Sequence, residues 1–290
     1  MTTVLIAGAT GYLGRHLVSE FRQRGCHVRA IVRDTDRARR QGIGAHDLIL
    51  AEATRPETLE GHFQGVDIVI SSLGITRQKD GLSYWDVDYQ ANVNLLNAAL
   101  RAGVRQFGYV HVLKARSMQQ VPLVAAKQAF VDRLQAAPIA SSVIAPSGYF
   151  SDMEDFMKMA QSGRVWLFGK GTHRINPVHG ADLATAVADT MWNCTPWRNV
   201  GGPDIFTHAQ LAELAFHVLG KSPKITYLPD ALRHAALAAL PLLPQSVGGP
   251  ARFFLTAMGQ DMVGDCIGSR RLVDHFRQNQ PPQTAALAVL

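Results

Sequence analysis

Cysteine is scarce in this 290-residue chain. Cys26, Cys194 and Cys266 are scattered with no C-x-x-C spacing, which excludes a thiolate zinc site and fits a reducing compartment. A long hydrophobic run is also missing. The most apolar late stretch, Ala231 to Pro244, is interrupted by Arg233, His234 and two prolines, and is too short to span a bilayer. The opening M-T-T-V-L-I-A-G lacks a basic n-region, and its apolar run is too short for a secretory h-region. A cytoplasmic location is therefore expected, with no membrane partner. Glycine and proline, 25 and 14 residues, are near average usage, which excludes collagen-like and low-complexity chains.

What is present is ordinary globular material, with 47% hydrophobic residues. At about 150 residues per domain the length suggests one or two domains, enough to bury a core without disulfides or metal staples. The net charge of +6 is unevenly placed. Residues 1 to 40 hold eight arginines against Glu20, Asp34 and Asp36, a local +5. A nucleic-acid binder spreads its basic face over the recognition surface; a local cluster points to a local anion, and no nucleic-acid partner is expected.

The first half alternates strand-like and helix-like segments. Strands are expected at Val4 to Ala7, His27 to Val32, Asp47 to Leu50, Val66 to Ser71, Phe107 to Leu113 and Ser142 to Ala145. Helices fall after Gly11, over about Ser83 to Ala102 with Gly103 closing it, and over Val124 to Leu134. This alternation specifies βαβ units and an α/β fold: a doubly wound, Rossmann-type parallel sheet. After Pro146 the pattern loosens into helices at Ser151 to Ala160, Asp182 to Trp192 and His208 to Leu219, a strand at Arg164 to Phe168, and a Q-P-P-Q-T tail. The expected division is a nucleotide-binding core over 1–150, rejoined by 174–200, and a small C-terminal substrate lobe from 151–173 and 201–290.

The strongest motif is V-L-I-A-G-A-T-G-Y-L-G, with Gly8, Gly11 and Gly14 at three-residue spacing between a strand and a helix. That context is the one a dinucleotide site demands. Gly8 would allow the tight turn, Gly11 the approach of the pyrophosphate, and Gly14 close helix–sheet packing. Amides from Thr10, Gly11, Tyr12 and Leu13 at the helix start would face the phosphates. The second strand ends A-I-V-R-D. An acidic residue there would bond the ribose 2′-hydroxyl of NAD, whereas Arg33, with Arg37, Arg39 and Arg40 following, favours the 2′-phosphate of NADP.

With these motifs in view, the chain resembles the atypical short-chain dehydrogenase/reductases of the NmrA-like and isoflavone-reductase-like branch. The resemblance runs roughly to residue 190 and rests also on V-D-I-V-I-S-S-L-G from Val66, V-D-Y-Q-A-N-V-N-L-L-N-A-A from Val87, A-G-V-R-Q-F-G-Y-V from Ala102 and I-N-P-V-H-G-A-D-L-A from Ile175. It implies that Glu52 stands near the adenine. Ser71, Ser72, Leu73 and Gly74 would line the adenosine and ribose side, and Pro146, Ser147, Gly148, Tyr149 and Phe150 the nicotinamide side.

The departures from that family bear on mechanism. Orthodox members use a Tyr-x-x-x-Lys pair and a Ser, the lysine lowering the tyrosine pKa so that the phenol donates a proton. Here Lys127 is present, but Leu123 stands four residues before it, and His111 occupies the Ser position. Two repairs are open. Lys127 or His111 supplies the proton, or the substrate needs only hydride, as with a quinone, a conjugated alkene or an iminium. The leading function is NADP-dependent hydride transfer, from the reduced cofactor, to an apolar, conjugated small molecule. A non-catalytic NADP sensor of the NmrA-like kind, or an isomerase or epimerase borrowing the nicotinamide, would use the same turn.

Other candidates carry less. His173 and His179 have no third ligand at metal spacing, so no metal is expected. Ser147-Gly148 lacks the G-x-S-x-G context of a nucleophile elbow. The stripe Met153, Phe156, Met157 and Met159 reads as core or as the wall of an apolar pocket. Besides a small-molecule substrate, a second copy of the chain is a partner left open.

Overall fold

The computed structural model describes residues 1–74 and 81–279. The apolar run after Thr2 forms β1 (Thr3–Ala7), buried on both faces as a central parallel strand must be. Helix α1 (Tyr12–Gln23) follows at once and buries the stripe Leu13, Gly14, Leu17, Val18 and Phe21. Next come β2 (His27–Val32), α2 (Thr35–Arg40), β3 (Asp47–Leu50), β4 (Ile68–Ser71), α3 (Asn92–Arg101), β5 (Gln106–Val110), α4 (Pro122–Gln135) and β6 (Ala140–Pro146). Asp34 caps α2 by accepting a 2.8 Å hydrogen bond from the Arg37 amide.

The remainder contributes α5 (Phe150–Gln161), β7 (Val165–Phe168), β8 (Arg174–Ile175), α6 (Gly180–Trp192), β9 (Trp197–Gly201), β10 (Phe206–Thr207), α7 (His208–Val218) and β11 (Ile225–Leu228). Then follow α8 (Asp230–Ala239), α9 (Gln245–Ala257), β12 (Asp265–Cys266) and α10 (Leu272–Gln278).

The main sheet has eight strands in the order β12-β9-β6-β5-β4-β1-β2-β3, with every pairing parallel. The chain winds outward from β1 in both directions, so the strand order reverses between β1 and β4. The crevice above their carboxyl ends is where open α/β sheets bind ligands. One apolar layer packs α1, α2 and α6 on one face of the sheet; a second packs α3 and α4 on the other. A third cluster joins α5, α7, α10 and the start of α4 into a lobe beside the carboxyl edge.

Three features depart from the sequence reading. The helix expected over Ser83 to Ala102 is not uniform, because Trp85–Ala91 is π-helical before α3 begins. The Asn92 amide stabilises the junction by donating to the Val87 and Asp88 carbonyls at 3.1 and 3.0 Å. The strand expected to reach Leu113 ends at Val110, and the chain then turns through Lys114 at φ 53°. Strands β9 and β12 extend the sheet where no strand was expected. The Q-P-P-Q-T tail lies outside the described residues. No helix among the described residues is long and apolar enough to cross a membrane.

Candidate active site

The turn between β1 and α1 is shaped by backbone that admits no side chain. Gly8 sits at φ +84°, a left-handed conformation, and a Cβ there would lie 2.8 Å from the Ser72 hydroxyl. A Cβ on Gly14 would fall 2.0 Å from the Gly8 carbonyl oxygen, so α1 rests directly on the turn. A Cβ on Gly11 would meet only the Gly8 oxygen, at 3.2 Å. Gly11 is also the N-cap of α1, with no side-chain cap and no acidic residue in the first turn. The helix start therefore offers uncapped amides and the positive end of its dipole. A dinucleotide pyrophosphate fits this cradle.

From the turn a cavity of about 810 Å³ runs across the sheet's carboxyl edge into the lobe. Its near end is lined by Gly8, Gly11, Tyr12, Leu13, Gly14, Ser72 and Gly74, and its middle by Pro146, Ser147, Gly148, Tyr149, Leu123, Lys127 and His111. The far end is apolar, with Met153 and Phe156 from α5, Leu211 from α7, and Phe253, Phe254, Ala257 and Met258 from α9. His208 is a buried polar side chain in that apolar wall. Asp152, Asp155 and Lys158 on α5 add a polar rim.

Lys127 sits at the floor, where its ammonium is held by protein groups. Nζ lies 3.3 Å from Asp88 Oδ1 and donates to the Tyr109 hydroxyl and Val110 carbonyl at 3.3 Å and to the Leu73 carbonyl at 3.4 Å. It also stands 5.1 Å from the centre of the Tyr109 ring. Asp88 is fully buried on the π-helical segment, which Ser71 anchors to β4 by a 2.5 Å hydrogen bond to Asn92 Oδ1. Burial, and secondarily the Asp88 charge, push the Tyr109 phenol well above its usual range.

His111 is 2% exposed. Its Nε2 pairs with Gln128 Oε1 at 3.1 Å, and Nδ1 is buried with no hydrogen-bond partner among the described residues. Burial, reinforced by the Lys127 charge, lowers its pKa to about 4, so the ring is neutral near pH 7. As placed, it carries no imidazolium proton to give. Leu123 lies in the cavity wall where a catalytic tyrosine was to be sought, and is buried.

Six expected cofactor residues are not among the described residues lining the cavity: Thr10, Arg33, Glu52, Ser71, Leu73 and Phe150. Thr10 and Arg33 are exposed, the latter just beyond β2. Glu52 is fixed through its backbone, its amide donating to the Thr58 hydroxyl at 2.9 Å. Ser71 is turned under the sheet edge toward Asn92, and Leu73 contributes its carbonyl to Lys127. Phe150 opens α5 and buries its ring in the lobe core beside His179 and His275. The Ser147 hydroxyl is taken up by the Asn176 carbonyl at 2.5 Å, which leaves it no nucleophilic role. No cluster of metal-ligating side chains occurs among the described residues. Sequence reasoning overlooked Asp88, Tyr109, His208 and the α9 residues. Asp88 stood in view inside V-D-Y-Q-A-N, but nothing local marks its partner.

The strand order, the glycine cradle and the cavity beside it define a Rossmann-type fold with a nucleotide-binding turn. Residues 8–149 match an NAD(P)H-binding family. Among curated proteins it is 28% identical to the chloroplastic divinyl chlorophyllide a 8-vinyl-reductase of Arabidopsis thaliana, over 86% of this chain and 66% of that one. The chain thus spans just under two thirds of that reductase's length. It is 25% identical to a photosystem II assembly factor of Guillardia theta, over 78% of this chain and 73% of that one. Among solved structures, the NADPH-dependent quinone oxidoreductase of Escherichia coli in complex with NADPH superimposes with a TM-score of 0.75 at 21% identity, covering 95% and 99% of the two chains.

Proposed function

We propose that this chain is an NADPH-dependent oxidoreductase of the atypical short-chain type that delivers hydride to an apolar, conjugated small molecule. The observation that carries this reading is the continuity of the cavity. One space of about 810 Å³ joins a cradle for pyrophosphate to a pocket walled by Met153, Phe156, Leu211, Phe253 and Met258. A relative named for reducing a vinyl group and a fold neighbour named for reducing quinones support the same substrate class. In this reading residues 1–150 and 174–200 hold the cofactor, and the lobe from 151–173 and 201–290 holds the substrate.

When bound, a reduced nicotinamide supplies the hydride. Gly8, Gly11 and Gly14 make room for the diphosphate, and Arg33 selects the 2′-phosphate. Lys127, fixed by Asp88, presents one positive charge beside Gly74 and orients the ribose side. The apolar wall excludes water and holds a flat, conjugated acceptor. With His111 neutral and shielded and Leu123 inert, Lys127 is the one ionised donor left in the orthodox positions, and its protons are engaged by Asp88, Tyr109, Val110 and Leu73, which favours acceptors that take hydride first and a solvent proton later. Three free cysteines, two of them exposed, suit a reducing cytoplasm.

A sensor is the second reading. It draws support from the saturation of Lys127 by protein acceptors and from the likeness to an assembly factor. Single turnover with NADPH deuterated at the transferring carbon and a conjugated enone separates the two. Deuterium on carbon in the product supports the reductase, and unlabelled enone recovered intact supports the sensor.

A further inference from the structure

His208 is the first residue of α7, and main chain on both sides fixes its place. β10 pairs antiparallel with β8, Phe206 opposite Ile175 and Thr207 opposite Arg174, and the His208 amide donates to the His173 carbonyl at 3.0 Å. Thr207 then caps the helix by accepting from the Gln210 amide at 3.1 Å. His208 and Leu211, three residues apart, share one face of α7, and both line the cavity. α5 packs against α7 and brings the Phe156 ring to 6.5 Å from the imidazole.

An imidazole is an unusual choice for this wall. His208 is 6% exposed, yet its ring nitrogens make no hydrogen bond among the described residues. Asp261, whose charge reaches the ring, is taken up by His173 at 3.4 Å and by Arg174 at 2.9 Å. Burial, with the His173 charge second, lowers the His208 pKa to about 4. Near pH 7 the ring is therefore neutral, with one N–H and one lone pair.

Buried polar groups are paired as a rule, and leucine or phenylalanine would fill the same wall without an unmet hydrogen bond. Elsewhere in the cavity Ser147 is engaged by Asn176, and Lys127 by Asp88 and its neighbours. The His208 nitrogens differ from His111 Nδ1 in not being sealed off from solvent. A few such polar groups in an apolar pocket fix the orientation of a ligand.

We propose that His208 is a substrate-binding residue whose ring N–H bonds a carbonyl oxygen of the acceptor, so that the pocket takes flat conjugated carbonyl compounds ahead of hydrocarbons of the same shape. The imidazole belongs to the same part of the cavity as the bend at Gly148. A Cβ there would meet Ile175 at 3.2 Å and Met153 at 4.0 Å, and Ile175 is the β8 partner of Phe206. A molecule lying along Ile175 thus runs from Gly148 toward His208. Among the acceptors open to hydride transfer, quinones and enones carry the oxygen, whereas iminium ions and simple alkenes do not. That narrowing rests on the reductase reading; the carbonyl contact itself does not.

The test uses the full chain with oxidised NADP, so that no hydride is available, and two flat probes that differ in a carbonyl, fluorenone and fluorene. The preference for fluorenone over fluorene should fall about tenfold in His208→Phe, the scale of one lost hydrogen bond, while fluorene affinity holds. His208→Gln keeps an N–H and should retain part of the preference. The infrared carbonyl stretch of fluorenone bound to the unaltered protein should lie below its value in hexane, and should return toward it in His208→Phe. A preference that His208→Phe leaves unchanged, equal losses for both probes, or binding of neither would overturn the proposal. So would a bound carbonyl stretch at the hexane value, a result that needs no variant. Carbonyl binding through His208 without NADPH consumption by any acceptor would keep this contact and remove the reductase reading. Turnover of acceptors with no fluorenone preference would do the reverse.

Discussion

Lys127 on α4 and Asp88 on the π-helical segment face each other across 3.3 Å at the floor of the cavity, the carboxylate fully buried and the ammonium nearly so. This pair decides what the lysine is free to do. A buried ion pair is weak evidence of stability as such, but removing one partner leaves an uncompensated charge. Asp88→Asn should therefore destabilise the protein by about 3–5 kcal/mol. The double variant Asp88→Asn/Lys127→Met should lose less than the single one. Urea unfolding of the variants checks both statements, and equal losses would show that the pair is not coupled.

The glycine turn predicts two different failures. Gly11→Val should leave a folded protein that no longer binds dinucleotide, because its added carbon meets only one backbone oxygen at 3.2 Å yet occupies the phosphate approach. Gly14→Val should lose stability as well, since its Cβ would fall 2.0 Å from the Gly8 oxygen. Calorimetry with NADPH and thermal unfolding separate these outcomes. A folded Gly11→Val protein that still binds NADPH would reduce the motif to a turn.

The proposed function gives cofactor choice to Arg33, just beyond β2. NADPH should bind at least about tenfold more tightly than NADH, roughly 1.4 kcal/mol. Arg33→Ala should remove most of that difference by deleting a charge-assisted phosphate contact. Titration calorimetry of both cofactors provides the check, and equal affinities in the unaltered protein would refute the assignment.

His111 makes stability depend on pH. Its folded pKa of about 4 lies below the unfolded value of 6.5, so the unfolded chain binds more protons between these limits. Its contribution is complete above about pH 6.5 and is lost as pH falls toward 4, up to about 3 kcal/mol. His111→Phe should reduce, without abolishing, the slope of urea midpoints measured from pH 7 to 4.5, because burial also lowers His179 and His208 to about 4. The same variant tests the proton source. If hydride alone is needed the rate should barely change, whereas a general acid would cost roughly 10²–10⁴-fold.

The elements that position the site were legible to different degrees for physical reasons. Gly8, Gly11 and Gly14 could be read because each answers a local steric demand, and β1 to β6 because their periodicity is short-range. The Asp88–Lys127 pair could not, since it joins residues 39 apart through the sheet order and a π-helical offset that no apolar repeat announces. Strand β12 is a two-residue edge addition to β9, and the two are tied by Asn176, whose side chain bonds the Gly202 carbonyl and both the amide and carbonyl of Gly264. Ser71 and Phe150 were assigned to the cofactor by resemblance. The structure gives one to Asn92 and the other to the lobe core. Helix α9 hid its role because Pro250 interrupts it and no polar stripe marks its cavity face.

The central claim is that the cavity joining the Gly8–Gly14 turn to the α9 wall carries hydride transfer to apolar conjugated acceptors. NADPH consumption across a panel of quinones, enones and iminium ions, with Gly11→Val protein as control, tests it most directly. The account predicts turnover with at least one apolar member of the panel, one NADPH spent per acceptor reduced, and none with the Gly11 variant. Tight NADPH binding with no consumption by any acceptor would contradict it.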